Sequence, residues 1–403
     1  MSDPQSGGAI QVHDVGKTDS VASREPFKPA SWKVAFVQDC NLRCKYCCTG
    51  FGRYGQEHQY MRPDVWMQLT DLVAAMSAGW NRVEVEFGGG ETFLRFKEAM
   101  LFLDRLRRLV GEKRIRVDAR ILTNGTAATP EQLRECLARR ISLTFSIDGP
   151  QTEHDAFRQF PDGKPTHRLA LENWRRYCEL VNGVADPPGC EVSAVIAGDS
   201  RLADVARFWR EQGVKRFKAI PAEPSRFLGP QELEAWQTRR DRYLQDMKTL
   251  AFAEAERLRG REFESEFEGP LGILGSWRRL SRGAPYRVCG AGNSIIAVDA
   301  LGNLFPCQGF AGFAQRSIGD VHSGVLPAKL QEFRATRLRV QDSCNGCWAR
   351  FLCDGGCCAG DPEAGVVLDY WNGCEFTRAH AEIAIQSYLY WRSHAALPTG
   401  TPQ

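Results

Sequence analysis

The chain contains no run of eighteen or more apolar residues, which excludes a conventional membrane-spanning helix. Its first residues, Met1-Ser-Asp-Pro-Gln-Ser-Gly-Gly8, lack the basic segment and apolar stretch of an export signal, so a soluble, cytoplasmic protein with no membrane partner is expected. An excess of one charge is also missing: 52 Lys and Arg stand against 49 Asp and Glu, for a formal net charge of +3. Basic residues are interleaved with acidic ones, as where Arg105, Arg107 and Arg108 are followed by Glu112, and no nucleic-acid footprint results. Cysteine, by contrast, is abundant. Fifteen cysteines without an export signal argue for metal or redox chemistry in a reducing compartment rather than for disulfides. A length of 403 residues, 43% of them hydrophobic, suffices for one large or two medium domains.

Residues 1–30 are rich in Gly, Ser, Asp and Pro without periodicity and read as a flexible arm. Packed structure is expected from Trp32, where short β-branched runs begin to alternate with amphipathic stretches. Strands are predicted at Val34–Val37, Val83–Phe87, Arg116–Leu122, Ser142–Ile147, Val192–Ile196 and Lys215–Ile220, with helices between them. Such alternation implies an α/β fold of parallel strands with right-handed crossovers, and six strands are too few for a closed eight-stranded barrel. Residues 230–260 read as one long charged helix with Leu233, Trp236, Leu244 and Met247 on its apolar side, part of a helical bridge over 229–284. Beyond about residue 285 the alternation stops and cysteines take over.

The run Asp39-Cys-Asn-Leu-Arg-Cys-Lys-Tyr-Cys-Cys48 places Cys40, Cys44 and Cys47 at C-x-x-x-C-x-x-C spacing. Three thiolates on one loop can hold three irons of a [4Fe–4S] cube and leave the fourth open to a substrate or cofactor. A zinc site is the competing reading, but zinc usually takes paired C-x-x-C hooks, and only Cys48 or His58 lies near enough to complete one. With Tyr46 just before the third cysteine, the loop resembles the defining motif of the radical S-adenosylmethionine (SAM) superfamily. That resemblance implies a partial (β/α)6 barrel over residues 31–228, with the cluster loop after the first strand. It also assigns Gly89, Gly90 and Glu91 to the family's Gly-Gly-Glu motif, which binds the SAM amino group; the family usually continues with Pro where this chain has Thr92. Ser146, in Ser142-Leu-Thr-Phe-Ser-Ile-Asp-Gly149, matches a polar group near the SAM ribose and methionine, and Arg168 an arginine used against the SAM carboxylate. A turn at Asp148-Gly149-Pro150 and a solvated helix arginine explain the same residues equally well.

Toward the C-terminus, Cys289, Gly302 and Cys307 are followed by Cys344-x-x-Cys347, Cys353, Cys357 and Cys374. These spacings resemble the SPASM extension of peptide-modifying radical SAM enzymes, a small α+β unit expected over 285–380 and followed by a C-terminal helix and tail over 381–403. The resemblance implies two auxiliary [4Fe–4S] clusters, three in all. Cys344, Cys347, Cys353 and Cys374 would ligate the outer one, and Cys289, Cys307 and Cys357 the inner one. The inner cluster then has an open iron, a non-cysteine ligand, or Cys358; two interleaved zinc sites are the alternative. Cys136, Cys178 and Cys190 read as structural thiols, while Cys48 remains ambiguous.

The cofactors so implied are SAM and iron–sulfur clusters, with a flavodoxin or ferredoxin-type reductant. The implied reaction is reductive cleavage of SAM to a 5′-deoxyadenosyl radical, which abstracts hydrogen from a peptide or protein substrate, the auxiliary clusters taking up the second electron. Related sulfatase maturases carry an Asp base after the second SPASM cysteine; Gln308 stands there, and a neutral amide cannot take that proton. The expected function is therefore cross-link formation in a ribosomally made peptide, thioether ahead of carbon–carbon, with formylglycine formation as the alternative. An iron–sulfur electron carrier or SAM-binding regulator is the alternative from another class. About thirty residues before the barrel are too few for a winged-helix leader-recognition domain, so a separate leader-recognition protein, direct leader binding or a leaderless substrate is expected. No catalytic base is assigned.

Overall fold

A computed structural model describes residues 27–222, 233–261, 268–283, 289–342, 344, 346–353, 359 and 374–394. In chain order the elements begin with β1 (Ser31–Val34), the short antiparallel pair β2 (Val37–Gln38) and β3 (Gln59–Tyr60), α1 (Pro63–Met76), β4 (Arg82–Phe87) and α2 (Phe96–Gly111). There follow β5 (Arg116–Thr123), α3 (Pro130–Ala138), β6 (Ile141–Ser146), α4 (Gln151–Phe157), α5 (His167–Val181), β7 (Cys190–Ile196), α6 (Leu202–Glu211) and β8 (Arg216–Pro221). Strands β1, β4, β5, β6, β7 and β8 lie side by side, all parallel, as the alternation of elements requires. Pro63 opens α1, and α3 starts at Pro130 behind a Thr129–Gln132 capping box, so local chemistry fixes where these helices begin.

Strands β1, β4, β5, β7 and β8 show period-two burial. Val83, Val85 and Phe87 of β4 and Val117, Ala119 and Ile121 of β5 pack into one core with Leu69 and Val73 of α1 and Phe102, Leu103 and Leu106 of α2. Each such large side chain contributes roughly 1.5–3 kcal/mol on burial. The alternate residues face the other side of the sheet, and on β4 they are charged: Arg82, Glu84 and Glu86. Lys33 pairs with Glu86 at 3.0 Å, and Arg120 pairs with Glu191 and donates to Thr144 at 3.0 Å. Parallel strands covered on both faces read as continuous apolar runs; Arg82-Val-Glu-Val-Glu-Phe87 alternates because its second face is only half-buried.

Two details differ from the sequence expectation. The first strand ends at Val34, because Phe36 leaves the sheet and its carbonyl accepts from Met61 N at 3.0 Å, turning the chain into the β2–β3 pair. Helix α4 carries a polar sequence of 7 residues with no periodic stripe to announce it. Long α7 (Leu233–Arg257) is followed by β9 (Gly269–Pro270) and α8 (Leu271–Arg282), and α7 and α8 pack with α10 (Cys374–His394) in a helical layer. Trp277 Nε1 donates to Ser387 Oγ and Trp391 Nε1 to Leu258 O, both at 3.0 Å, fastening that layer. Helix α10 is continuous across residue 380, where the cysteine-rich unit was expected to end.

The region beyond residue 289 is built onto the same sheet. Strand β10 (Ile295–Val298) pairs in parallel with β1, and β11 (Asn303–Phe305), β12 (Gly319–Asp320) and β13 (Gly324–Val325) continue antiparallel from it, ahead of α9 (Pro327–Asp342). The sheet order is β13-β12-β11-β10-β1-β4-β5-β6-β7-β8-β9. Strand β1, which launches the cysteine loop, is thus flanked on both sides. Among the described residues no helix is long and apolar enough to cross a membrane.

Candidate active site

The cysteine loop leaves the end of β2 and is clamped from two directions. On one side stands the glycine turn after β4. A Cβ on Gly90 would lie 2.1 Å from Asp39 O and 2.4 Å from Val37 O, and one on Gly52 would lie 2.5 Å from Gly90 Cα. Gly89 has φ +98°, and its Cβ would meet the Tyr54 hydroxyl at 2.7 Å. Backbone packing against the cysteine loop is therefore reason enough for glycine here. On the other side, Arg43 N donates to Gln159 O at 2.8 Å and Lys45 N to Phe157 O at 3.0 Å, pinning the loop to the last residue of α4 and the segment that follows.

Glu91 joins turn, loop and sheet. It is 1% exposed, caps the short helical turn Thr92–Arg95 by accepting from Phe93 N at 3.1 Å, and accepts from Asn124 N at 2.8 Å and Thr123 Oγ1 at 3.0 Å. Asn124 in turn reaches Asn41 Oδ1 at 2.9 Å and Cys40 Sγ at 3.6 Å. Every donor to Glu91 is neutral, no cation pairs with it among the described residues, and burial pushes its carboxyl up to about 7. A buried carboxylate in that condition fits an ammonium group.

The three thiols sit unequally. Burial pushes Cys40 up to about 12, with the Glu91 charge adding to it, and likewise pushes Cys44 up to about 12, with Arg158 pulling the other way. Phe51 N donates to Cys47 Sγ at 3.0 Å. Thiols so disfavoured as anions become good ligands once a cationic iron supplies the compensating charge. Among the described residues no three His, Cys, Asp or Glu side chains converge on one metal ion. Three thiols on one short loop supply the sulfur donors that an iron–sulfur cluster takes.

The end of β6 supplies a buried network that sequence reasoning missed. Asp148, 2% exposed, accepts from Arg158 Nε at 2.9 Å, from the Tyr46 hydroxyl, and from Val195 N at 2.9 Å. Burial works against charge on Arg158, yet Asp148, Tyr46 and Cys44 outweigh it and hold its pKa well above the usual value. Tyr46 is thereby tied to the network. Ser146 is half-buried at the end of β6, opposite Ser193 of β7. Arg168 is not brought to the site: its side chain is 84% exposed and pairs with Glu172, one turn along α5. Its neighbour His167 takes the inward position, bonded to Gly149 O at 3.0 Å.

Asp148 N also donates to His154 Nδ1 at 3.2 Å, which leaves Nε2 as the protonated nitrogen, 3.0 Å from Thr166 Oγ1. Burial lowers His154 from 6.5 to about 4. The unfolded chain therefore takes up this proton first, and stability present above pH 6.5 is lost as pH falls toward 4, by about 3 kcal/mol. Because the buried Glu91 carboxyl titrates over the same range with the opposite sign, the His154 share is read from the difference between wild type and His154→Gln: by urea unfolding, wild type should lose about 3 kcal/mol relative to the variant between pH 7 and 4, and a pH-independent difference would refute the assignment.

Cys289 and Cys307 pack against a second apolar cluster that includes Ala35, Tyr54, Phe305, Phe310 and Phe333. Within it Gln308 Nε2 donates to the Tyr54 hydroxyl at 2.8 Å, beside Gly88 at the end of β4, so the position after Cys307 faces the cysteine loop. Farther out, Arg378 of α10 is held above the usual arginine value, chiefly by Cys347 and further by the charges of Cys374 and Cys344. Burial acts to raise Cys347, but the Ala349 amide and Arg378 bring it below the ordinary thiol value. Cys357 and Cys358 lie outside the described residues. Cys136 is buried in the main core, and Cys178 and Cys190, sulfurs 2.8 Å apart, lie at the opposite end of β7 from the loop.

Residues 34–188 match the model of the radical SAM superfamily. Among curated proteins the chain is similar to the radical SAM cyclopropyl synthase TigE of Paramaledivibacter caminithermalis, 20% identical over 330 residues that cover 76% of this chain and 62% of that protein. It is also similar to the serine-type anaerobic sulfatase-maturating enzyme of Bacteroides thetaiotaomicron, 30% identical over 133 residues, 32% of this chain and 31% of that one. The chain thus spans less than two thirds of the length of these relatives. Among solved structures, anSMEcpe with bound AdoMet and Cp18Cys peptide shares the fold at a TM-score of 0.68 and 18% identity, over 90% of this chain and 98% of that one.

Proposed function

Residues 34–188 form a radical SAM domain, and from that premise we propose that the protein is a peptide-modifying enzyme that installs an intramolecular cross-link, thioether first and carbon–carbon next. Cys40, Cys44 and Cys47 would hold the SAM-binding cluster, Glu91 the SAM ammonium. Cys344, Cys347, Cys353 and Cys374 would hold an outer auxiliary cluster, and Cys289, Cys307 and Cys357 an inner one. The reduced cluster with SAM bound supplies a 5′-deoxyadenosyl radical able to remove hydrogen from an unactivated carbon. The protein's part is placement. Charged groups on that second face of the sheet, such as Lys33, Glu86 and Arg120, offer a peptide polar contacts, while Tyr54 and Gln308 stand over the strand ends where the reacting side chain would lie.

The observation that carries this reading is the buried, cation-free carboxylate of Glu91 set beside Cys40. Gln308 in contact with Tyr54 favours cross-linking over formylglycine formation, since no carboxylate base occupies that position. The peptide bound to the structurally similar anSMEcpe and the name of the Bacteroides relative keep the second reading in play. Anaerobic reconstitution with iron and sulfide, then SAM and reductant, should yield 5′-deoxyadenosine, and replacing Cys40, Cys44 and Cys47 together by Ala should reduce it to background. Absence of that product from cluster-loaded wild type would end the enzyme reading in favour of an electron carrier or regulator. With a substrate peptide coexpressed, a loss of two hydrogens without hydrazide-reactive aldehyde marks a cross-link; an aldehyde marks formylglycine.

A further inference from the structure

Arg158 and Asp148 form an ion pair with side chains 9% and 2% exposed, packed directly beneath the cysteine loop. Desolvating two such ions costs several kcal/mol each, so a buried pair is a poor source of stability. Its surroundings point to another use. The Arg158 guanidinium lies 5.4 Å from the centre of the Tyr46 ring and its charge lowers the pKa of Cys44, while both Asp148 oxygens are held, one by Arg158 and Tyr46 and the other by Val195 N. The backbone on either side of Arg158 grips the loop through Phe157 O and Gln159 O. A fixed, buried cation is therefore held beside the Cys44 stretch of the loop, with its counter-ion behind it.

Resting on the cluster reading above, we propose that Arg158 is a positioning residue whose fixed charge at Cys44 sets the reduction potential of the iron–sulfur cluster on the cysteine loop, with Asp148 moderating that charge. Reduction adds one electron to the cluster, so a nearby cation favours the reduced form and a nearby anion the oxidised one. The two members of the pair therefore act with opposite sign, which a purely structural role does not do. Loss of either would destabilise the fold alike, since each leaves the other buried without its partner.

The test is an EPR-monitored redox titration of the full chain, anaerobically reconstituted and poised with dithionite and mediators. The signal that changes on adding SAM identifies the cluster in question. Arg158→Gln should lower its midpoint potential, Asp148→Asn should raise it, and Arg158→Lys should fall between Arg158→Gln and wild type. Iron content and urea unfolding report loading and folding separately. Unmoved potentials, or shifts of the same sign, in variants that load iron would overturn the proposal. If Arg158→Gln takes up no iron, Asp148→Asn decides alone: an upward shift supports the proposal and none overturns it. Wild type that binds no cluster would instead refute the cluster assignment beneath it, a result separable from unmoved variants.

Discussion

Gly90→Ala should unseat the cysteine loop and abolish cluster uptake. The added Cβ would meet Asp39 O at 2.1 Å, Val37 O at 2.4 Å and Asp39 N at 2.9 Å, all backbone atoms of the segment that leads into Cys40. No rotamer change relieves such contacts, so either the turn or the loop must move, at a cost above about 4 kcal/mol. Glu91 N donates to Asp39 O at 2.9 Å, and that bond would go with it. Gly275→Ala, inside α8 with nothing within 4 Å of its Cβ, is the control and should stabilise by about 0.5–1 kcal/mol. Thermal unfolding and iron content measure both; a Gly90→Ala variant that loads iron as wild type does would contradict the close packing of turn and loop.

Glu91→Gln should weaken SAM binding by roughly a hundredfold, close to 3 kcal/mol, because a buried ammonium would lose a charged partner. Its effect on stability should change with pH. The folded carboxyl is raised from 4.5 to about 7, so the stability it contributes is complete below pH 4.5 and is lost as pH rises to about 7. Above that the buried anion costs about 3 kcal/mol. Glutamine carries no such charge but sets an NH₂ against the amide of Phe93 or Asn124, costing about 1–3 kcal/mol. Relative to wild type, the variant should be less stable at pH 5 and close to parity at pH 8, by urea unfolding. Equal SAM affinity, by calorimetry on the reconstituted protein, would remove Glu91 from the ammonium site.

The strands and helices of the barrel were legible because burial there is periodic: Val83, Val85 and Phe87 announce a strand, and Leu69 and Val73 the helix before it. The cysteine spacing and the glycine turn were legible as motifs. What the glycines do was only half legible, since a one-dimensional reading admits ligand approach but does not show Asp39 O against Gly90. The arginines were undecided for a similar reason. Spacing favoured Arg168, but α5 turns His167 inward and Arg168 to solvent, and the buried guanidinium belongs to Arg158, in a stretch without regular periodicity. Nor does sequence reveal that β10 pairs with β1, because strands some 260 residues apart leave no local trace of their contact.

That last pairing has a consequence for how the chain can be divided. With β10 on one side and β4 on the other, β1 has no open hydrogen-bonding edge. Ending the chain before β10 would bare the main-chain donors and acceptors from Ser31 to Val34, a template for another molecule's strand. The outcome would be intermolecular aggregation through β1 rather than a smaller soluble barrel, so the first cysteine loop and the later cysteine-rich region belong to one folding unit.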